Sequence, residues 1–483
     1  MTTPKGGHGF DLITGETMEV DLSTGRHEVT LLEVHEPRCR VRGVIRFPGV
    51  TLYVNSEKVY VPAALYHMPL TLEGIRIGCS VTRGVAETVG RFKDVYAFEK
   101  DARIRCWAPD DPLFDRKPLV YPVGQTWFAS MTQMANERTY VDAGEFPFKD
   151  PAVDYIYHHY GMDFGGYETA VPIIAARGGR IICVGNETVE GYDENAAGTP
   201  RYDRVVVKDE TGWCYRYSHI EMISQDLELD RDIPARHFIG TLGKEGSSGG
   251  WSHLHFSICS PQPSGRYGEV EGYPFLVESY LNEHPGSLLA CARPHRVAEV
   301  GEPVELDGSR SVCDGADIVS GSWTFHDGEC VKDIRATRTY NREGTYSEML
   351  TVTDSRGQTD IDFCVVQVLP GDADPVRTAP GIHLTHYPTR NLCTGQPIAF
   401  KVRTFCRGPF EINHPDEESW DFGDGSSAVT RSSSPARSAA STDTDYAERW
   451  HTYDKPGRFI VTVTCTGTNG LTATAKIKVD VNS

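Results

Sequence analysis

Three observations predict a mostly β, multidomain protein. Runs of β-branched and aromatic residues recur along the chain between glycine and proline turns, an all-strand block of about a hundred residues occurs twice near the end, and only one segment has convincing helical periodicity. At 483 residues the chain exceeds what one hydrophobic core organises, so it divides into several units. Its 47 Gly and 29 Pro favour short strands and tight turns. A hydrophobic content of 39% with 10% aromatics is ample for buried cores.

Residues 1–118 read as an N-terminal β domain, a sandwich or barrel. The segments HEVTLLEV, RCRVRGVIRF, VTLYVNSEKVYV, LTLEGIRIGC and ARIRCWA are strand-like and separated by Gly, Pro or polar turns. No catalytic signature lies in them and their role is left open. Tyr53 and Tyr60 are read as packing residues rather than sugar-stacking ones.

Residues 119–284 form a central unit. The strand-like runs VPIIAA, GRIICVG, RVVVKDE, WCYRYSHI and HLHFSIC are punctuated by Gly178-Gly179 and by the run from Gly243 to Gly250. The helical stretch is PFLVESYLNE, residues 274 to 283, which closes the unit.

Residues 285–370 and 376–483 form two successive β-sandwiches. The first carries Gly-Glu-Pro-Val, Asp307-Gly-Ser-Arg-Ser, a Trp-x-Phe-x-Asp-Gly element and Tyr-x-x-x-Gly-x-Tyr before a strand; the second keeps Trp420-Asp421-Phe422-Gly423-Asp424-Gly425 and Gly-x-Phe before Val-Thr-Val. On these features both copies resemble polycystic-kidney-disease (PKD) domains, which implies spacers or weak binders. The first copy departs from the pattern with His326 where Gly is usual. The Ser-rich loop from Ala428 to Glu448 is expected to be mobile, and the acidic turns are read as turn chemistry rather than as Ca²⁺ sites.

Charge excludes some partners. A formal net charge of −19 with no basic stripe argues against a nucleic-acid surface or an anionic membrane. No apolar run is long enough for a membrane helix. The start, MTTPKGGHGFDLITGETMEV, has no apolar h-region of a standard secretory signal, which leaves a trimmed leader, unconventional export and an intracellular location open. Thirteen cysteines include no Cys-x-x-Cys pair. Cys183 with Cys214, and Cys291 with Cys364, are candidate neighbours, and the competing reading makes all of them small buried hydrophobes.

The chemistry concentrates in three short segments, His159-Tyr-Gly-Met-Asp163, Tyr217-Ser-His219-Ile220 and His253-Leu-His255-Phe256. A catalytic zinc site takes three protein ligands from His and Asp or Glu and leaves a position for water. His159, Asp163 and His255 fit that count, with Gly161 supplying a turn shape that a side chain would obstruct. Residues two apart on a strand share a face, so His253 and His255 project into one cleft and Leu254 points into the core. One of that pair can bind metal while the other faces substrate, and His219 supplies a further imidazole for proton transfer or oxyanion stabilisation. His-x-His alone is a weak signal; the joint order, with a Gly-rich loop before it and strands between, is much stronger.

On His159-x-Gly161-x-Asp163, the Ala175 to Gly185 hairpin, Tyr217-x-His219-Ile220 and Gly240-x-x-Gly243 through Ser252-His253-Leu254-His255-Phe256, the central unit resembles the lysostaphin-type (LytM-like) zinc metallopeptidases, a family of glycyl-glycine and peptidoglycan endopeptidases. The likeness covers about a third of the chain. It implies one catalytic Zn²⁺ on His159, Asp163 and His255, with His219 and His253 as non-ligand catalytic histidines. It also implies a groove on an antiparallel sheet, a Gly-containing cell-wall peptide as substrate, and an extracellular or cell-surface location. Two departures bear on the site: His158 adjoins the first ligand, and the insert Tyr192 to Tyr202 is longer than a simple turn.

The leading reading is therefore a zinc endopeptidase. A second keeps the ion and makes the free imidazoles the acid and base of a polysaccharide lyase or other carbohydrate-active enzyme, by analogy with the modules that accompany such enzymes. A third is a non-catalytic β-module adhesin, which predicts no bound zinc. The oligomeric state is open.

Overall fold

Buried and exposed residues alternate along sandwich strands such as Glu417–Asp421 and Thr472–Asn482, whereas the central strands Met162–Gly165, Cys214–Ser218 and His253–Pro261 are buried along most of their length on both faces. A computed structural model describes residues 4–38, 45–63, 66–87, 94–127, 141–142, 156–157, 159–246, 248, 250–369, 379–405, 415–431 and 446–483.

Near the N-terminus, Thr17–Leu22, Gly25–His35, Gly49–Val54 and Glu57–Pro62 form an antiparallel meander. His8–Leu12, Ala102–Trp107, Ile75–Thr82 and Leu70–Leu72 form a second sheet. One core, with Leu12, Val29, Leu31, Leu52, Ile75, Ile77 and Ile104 wholly buried, lies between them. Residues 39–44 of the predicted strand RCRVRGVIRF lie outside the described residues.

Tyr53 and Tyr60 are exposed by 42% and 50%, and the Tyr60 ring packs edge-on to that of His35 with centroids 5.5 Å apart. In the hairpin register Tyr53 faces Lys58 and Tyr60 faces Thr51, which puts both rings on the side opposite Leu52 and Val61.

The central sheet runs in the order Met162–Gly165, His253–Pro261, Cys214–Ser218, Val205–Lys208, Gly179–Val184 and Glu187–Thr188, all antiparallel. A smaller sheet of Pro172–Ile174, Phe238–Leu242 and Ile220–Ile223 accompanies it. Phe164, Tyr215, Tyr217, Leu254 and Phe256 are fully buried in the shared core. The helix Tyr273–Glu283, with Pro in its first turn, buries Phe275, Leu276, Val277 and Tyr280 against that core, as its sequence predicts.

Two β-sandwiches follow. Trp323 and Phe325 fill the first core, and Trp420 and Phe422 fill the second, so the repeated Trp-x-Phe element is a packing device in both. Where Gly423 takes a φ of +79°, His326 in the first copy donates its backbone N–H to buried Glu348 at 2.7 Å and places Nδ1 2.9 Å from the same carboxylate. The long strands Gly344–Asp354 and Thr472–Asn482 meet in parallel at Thr345 and Ala473, which joins the sandwiches edge to edge. In the acidic turns Asp421 and Asp424 accept the N–H groups of Gly423 and Ser426, the expected turn chemistry. Residues 432–445 of the loop expected to be mobile lie outside the described residues.

No disulfide joins any two of the eleven described cysteines. Cys183 and Cys214 share a small buried cluster, but the strand Val205–Lys208 runs between theirs. Cys291 belongs to the central core and Cys364 to that of the first sandwich. Neither suggested pair is bridged. No described helix is long and apolar enough to cross a membrane.

Candidate metal centre

The strand pairing assembles the centre. Asp163 stands directly opposite His255, and Gly165 opposite His253. The two-residue strand period sends both histidines to one face and wholly buried Leu254 to the other.

The donor atoms of His159, Asp163 and His255 all lie within 4.8 Å of one another, the only such group of three or more among the described residues. His159 Nε2 is 3.1 Å from His255 Nδ1 and 3.4 Å from Asp163 Oδ2, and His255 Nδ1 is 3.0 Å from Asp163 Oδ1. Three ligands about 2.0–2.2 Å from a tetrahedral ion stand roughly 3.3–3.5 Å apart. The observed triangle is close to that.

Protonation also suits a cation. Burial holds His255 at about 3, against the pull of Asp163. Burial alone would raise the Asp163 carboxyl, yet His159, His253 and His255 around it hold it well below the usual carboxylate range. A neutral imidazole and an ionised carboxylate are the ligating forms.

Gly161 is required between the first two ligands. Its φ is +77°, and a Cβ there would lie 2.9 Å from the Phe256 carbonyl oxygen and 3.0 Å from His255 Nε2.

The two remaining histidines flank the triangle. His253 Nδ1 donates to the Trp251 carbonyl at 3.0 Å, which leaves Nε2 as the free nitrogen, 3.6 Å from Asp163 Oδ1. Burial pushes its pKa well below the ordinary imidazole value. His219 follows Ser218, the residue opposite His255, and turns out of the strand with a φ of +68°. Its ring lies 4.6 Å from that of His253 and 6.0 Å from that of His255, and its Nδ1 donates to the Glu245 carbonyl at 2.6 Å. All five predicted residues thus come together. His158 lies outside the described residues.

Sequence reasoning missed two supports. The fully buried carboxylate of Asp203 accepts the His219 backbone N–H at 2.9 Å, lies 3.3 Å from His219 Nδ1 and receives both arms of Arg201. Burial would raise this carboxyl; the bonds from His219 and Arg201 instead hold it well below its usual range. Gly246, with a φ of +63°, has no room for a Cβ, which would meet Asp203 Oδ2 at 2.7 Å. The second support is Trp251, stacked on His253 with centroids 3.7 Å apart and planes 11° from parallel. The long insert has a task here too: the hydroxyl of Tyr202 donates to Glu245 Oε2 at 3.0 Å and accepts the Gly246 N–H at 2.9 Å.

A family model described as Peptidase family M23 matches residues 157–265, and two described as PKD domain match residues 289–368 and 386–481. Among curated proteins, Collagenase ColA of Clostridium perfringens is 34% identical over 93 residues, 19% of this chain and 8% of that protein. Pre-pro-metalloprotease PrtV of Vibrio cholerae is 35% identical over 122 residues, 24% of this chain and 13% of that protein. The chain therefore spans only a small part of these relatives. Among solved structures, the catalytic domain of lysostaphin from Staphylococcus simulans is 23% identical, covers 28% of this chain and 87% of that one, and has a TM-score of 0.20.

Proposed function

We propose that this chain, in which a Peptidase family M23 domain precedes two PKD domains, is a zinc-dependent endopeptidase acting on Gly-containing peptides, with peptidoglycan cross-links as the leading substrate and an extracellular or cell-surface site of action. The observation that carries this reading is the triangle of His159, Asp163 and His255 donors with sides of 3.0–3.4 Å, flanked by two imidazoles that are not needed as ligands. The donor set, its spacing and its protonation fit Zn²⁺. Bound there, the ion would polarise the scissile carbonyl and acidify a water.

The chain's own groups divide the remaining work. With Nδ1 tied to the Trp251 carbonyl, His253 presents an unprotonated Nε2 that takes a proton from the attacking water and returns one to the departing amine. His219, tied at Nδ1 to Glu245 and backed by Asp203, stabilises the carbonyl oxygen as charge develops by donating from Nε2 when the ring carries its second proton. Water oxygen bonds to the carbonyl carbon, the C–N bond breaks, and the amine leaves with the transferred proton. Leu254 and Phe256 beneath the site hold the strand rigid during these steps.

The test is product analysis. Zinc-loaded protein is incubated with purified peptidoglycan, pentaglycine and uronic-acid polysaccharides, and the products are identified by mass spectrometry. Fragments that gain one water per cut, with new amino termini, support the proposal. An unsaturated, ultraviolet-absorbing sugar product without new amines would replace it with the lyase reading.

A further inference from the structure

The second sandwich does not stand clear of the site. Its sheet of Gly381–Tyr387, Pro397–Phe405 and Ala447–Thr452 meets the chain that leads into His253. Buried Tyr446 accepts the Ser252 N–H at 2.7 Å, and the same hydroxyl is hydrogen-bonded to Nδ1 of buried His383 at 2.7 Å. The Arg403 guanidinium donates to the Gly250 carbonyl. Between those two anchored residues sits Trp251, whose ring stacks on His253 and lies 5.3 Å from the His383 ring at 70°.

The contact continues on the neighbouring strand. Tyr167, two residues past the ligand strand, donates to Glu448 at 2.5 Å and carries the Lys401 ammonium 4.4 Å above its ring. The docked face is therefore held on both sides of the strand pair that bears Asp163, His253 and His255.

Trp251 governs His253 twice. Its carbonyl selects the tautomer by accepting from Nδ1, and its ring sets the plane of the imidazole. A proton-transfer group works only within a narrow range of position and angle. We infer that the second PKD sandwich is a positioning element of the catalytic centre: Tyr446, His383 and Arg403 hold Trp251, and through it orient His253. The spacer role expected of such modules does not account for these bonds. The kinetic side of this inference rests on the peptidase reading.

Three full-length variants test it. Tyr446→Phe removes one oxygen and keeps the ring; His383→Leu removes the partner nitrogen; His383→Asn puts a polar atom back near the Nδ1 position. Tyr446→Phe and His383→Leu are expected to lower kcat about tenfold with KM within about twofold, to retain metal, and to speed hydrogen exchange at the Ser252 amide. His383→Asn is expected to recover most of kcat, which marks positioning rather than bulk stability. Unchanged kcat in Tyr446→Phe and His383→Leu, despite faster Ser252 exchange, would overturn the inference. If the wild type cleaves no peptide, the peptidase reading fails separately. Ser252 exchange still decides whether the sandwich holds the loop, and an unchanged rate in Tyr446→Phe overturns that too.

Discussion

Asp203 and His219 are joined at two points: the buried carboxylate accepts the His219 backbone N–H at 2.9 Å and lies 3.3 Å from its Nδ1. The first contact holds a non-glycine residue at a φ of +68°, and such backbone persists only where its surroundings enforce it. The second orients the imidazole.

Replacing Asp203 by Asn keeps an acceptor for the backbone N–H and removes the charge behind the ring. We expect kcat to fall about 10- to 100-fold with bound metal retained, in line with the loss of other orienting carboxylates. Steady-state kinetics paired with metal analysis on the same preparation checks this. Loss of metal would assign Asp203 to the ligand set instead.

Gly161→Ala adds a methyl group against the Phe256 carbonyl, which cannot move without disturbing the His255 strand. We expect a loss of about 1–3 kcal/mol in stability and weaker metal retention during dialysis. Gly265→Ala is the control, because its φ is +79° but a Cβ there meets nothing within 4 Å. It should cost less and leave metal retention unchanged.

Acid should loosen the second sandwich through His383 and His386. Both are 2% exposed, and burial holds them at about 3 and about 4. In the unfolded chain they take up protons near pH 6.5, so between that value and about pH 4 the folded state binds fewer protons. Their contribution is complete above pH 6.5 and is lost as pH falls, by about 1.4 kcal/mol per pH unit for each group. Denaturant unfolding between pH 6.5 and 4.5 should show this slope, and His386→Gln should reduce it by one proton's worth.

The metal triangle was legible because its geometry is local to short motifs. His159 and Asp163 are one turn apart, His253 and His255 share a strand face, and a glycine is required between the first two. The helix Tyr273–Glu283 and the paired Trp-x-Phe cores were legible for the same reason, since period and repeat survive in the sequence. Asp203, Trp251, His383 and Tyr446 were not legible. Asp203 reaches His219 from 16 residues away and Tyr446 reaches Ser252 from 194, and nothing in the spacing of such residues signals a contact that only the tertiary fold makes. The faces taken by Tyr53 and Tyr60 were not legible for a related reason, since hairpin register decides which side each ring takes.

The central claim is that three side chains hold the ion and two others serve the reaction. Zinc content per chain, measured by inductively coupled plasma mass spectrometry after dialysis, tests it most directly. The wild type, His219→Ala and His253→Ala should each keep about one zinc, with the two variants inactive, whereas Asp163→Ala and His255→Ala should retain none. Stoichiometric zinc in both Asp163→Ala and His255→Ala would contradict the assignment.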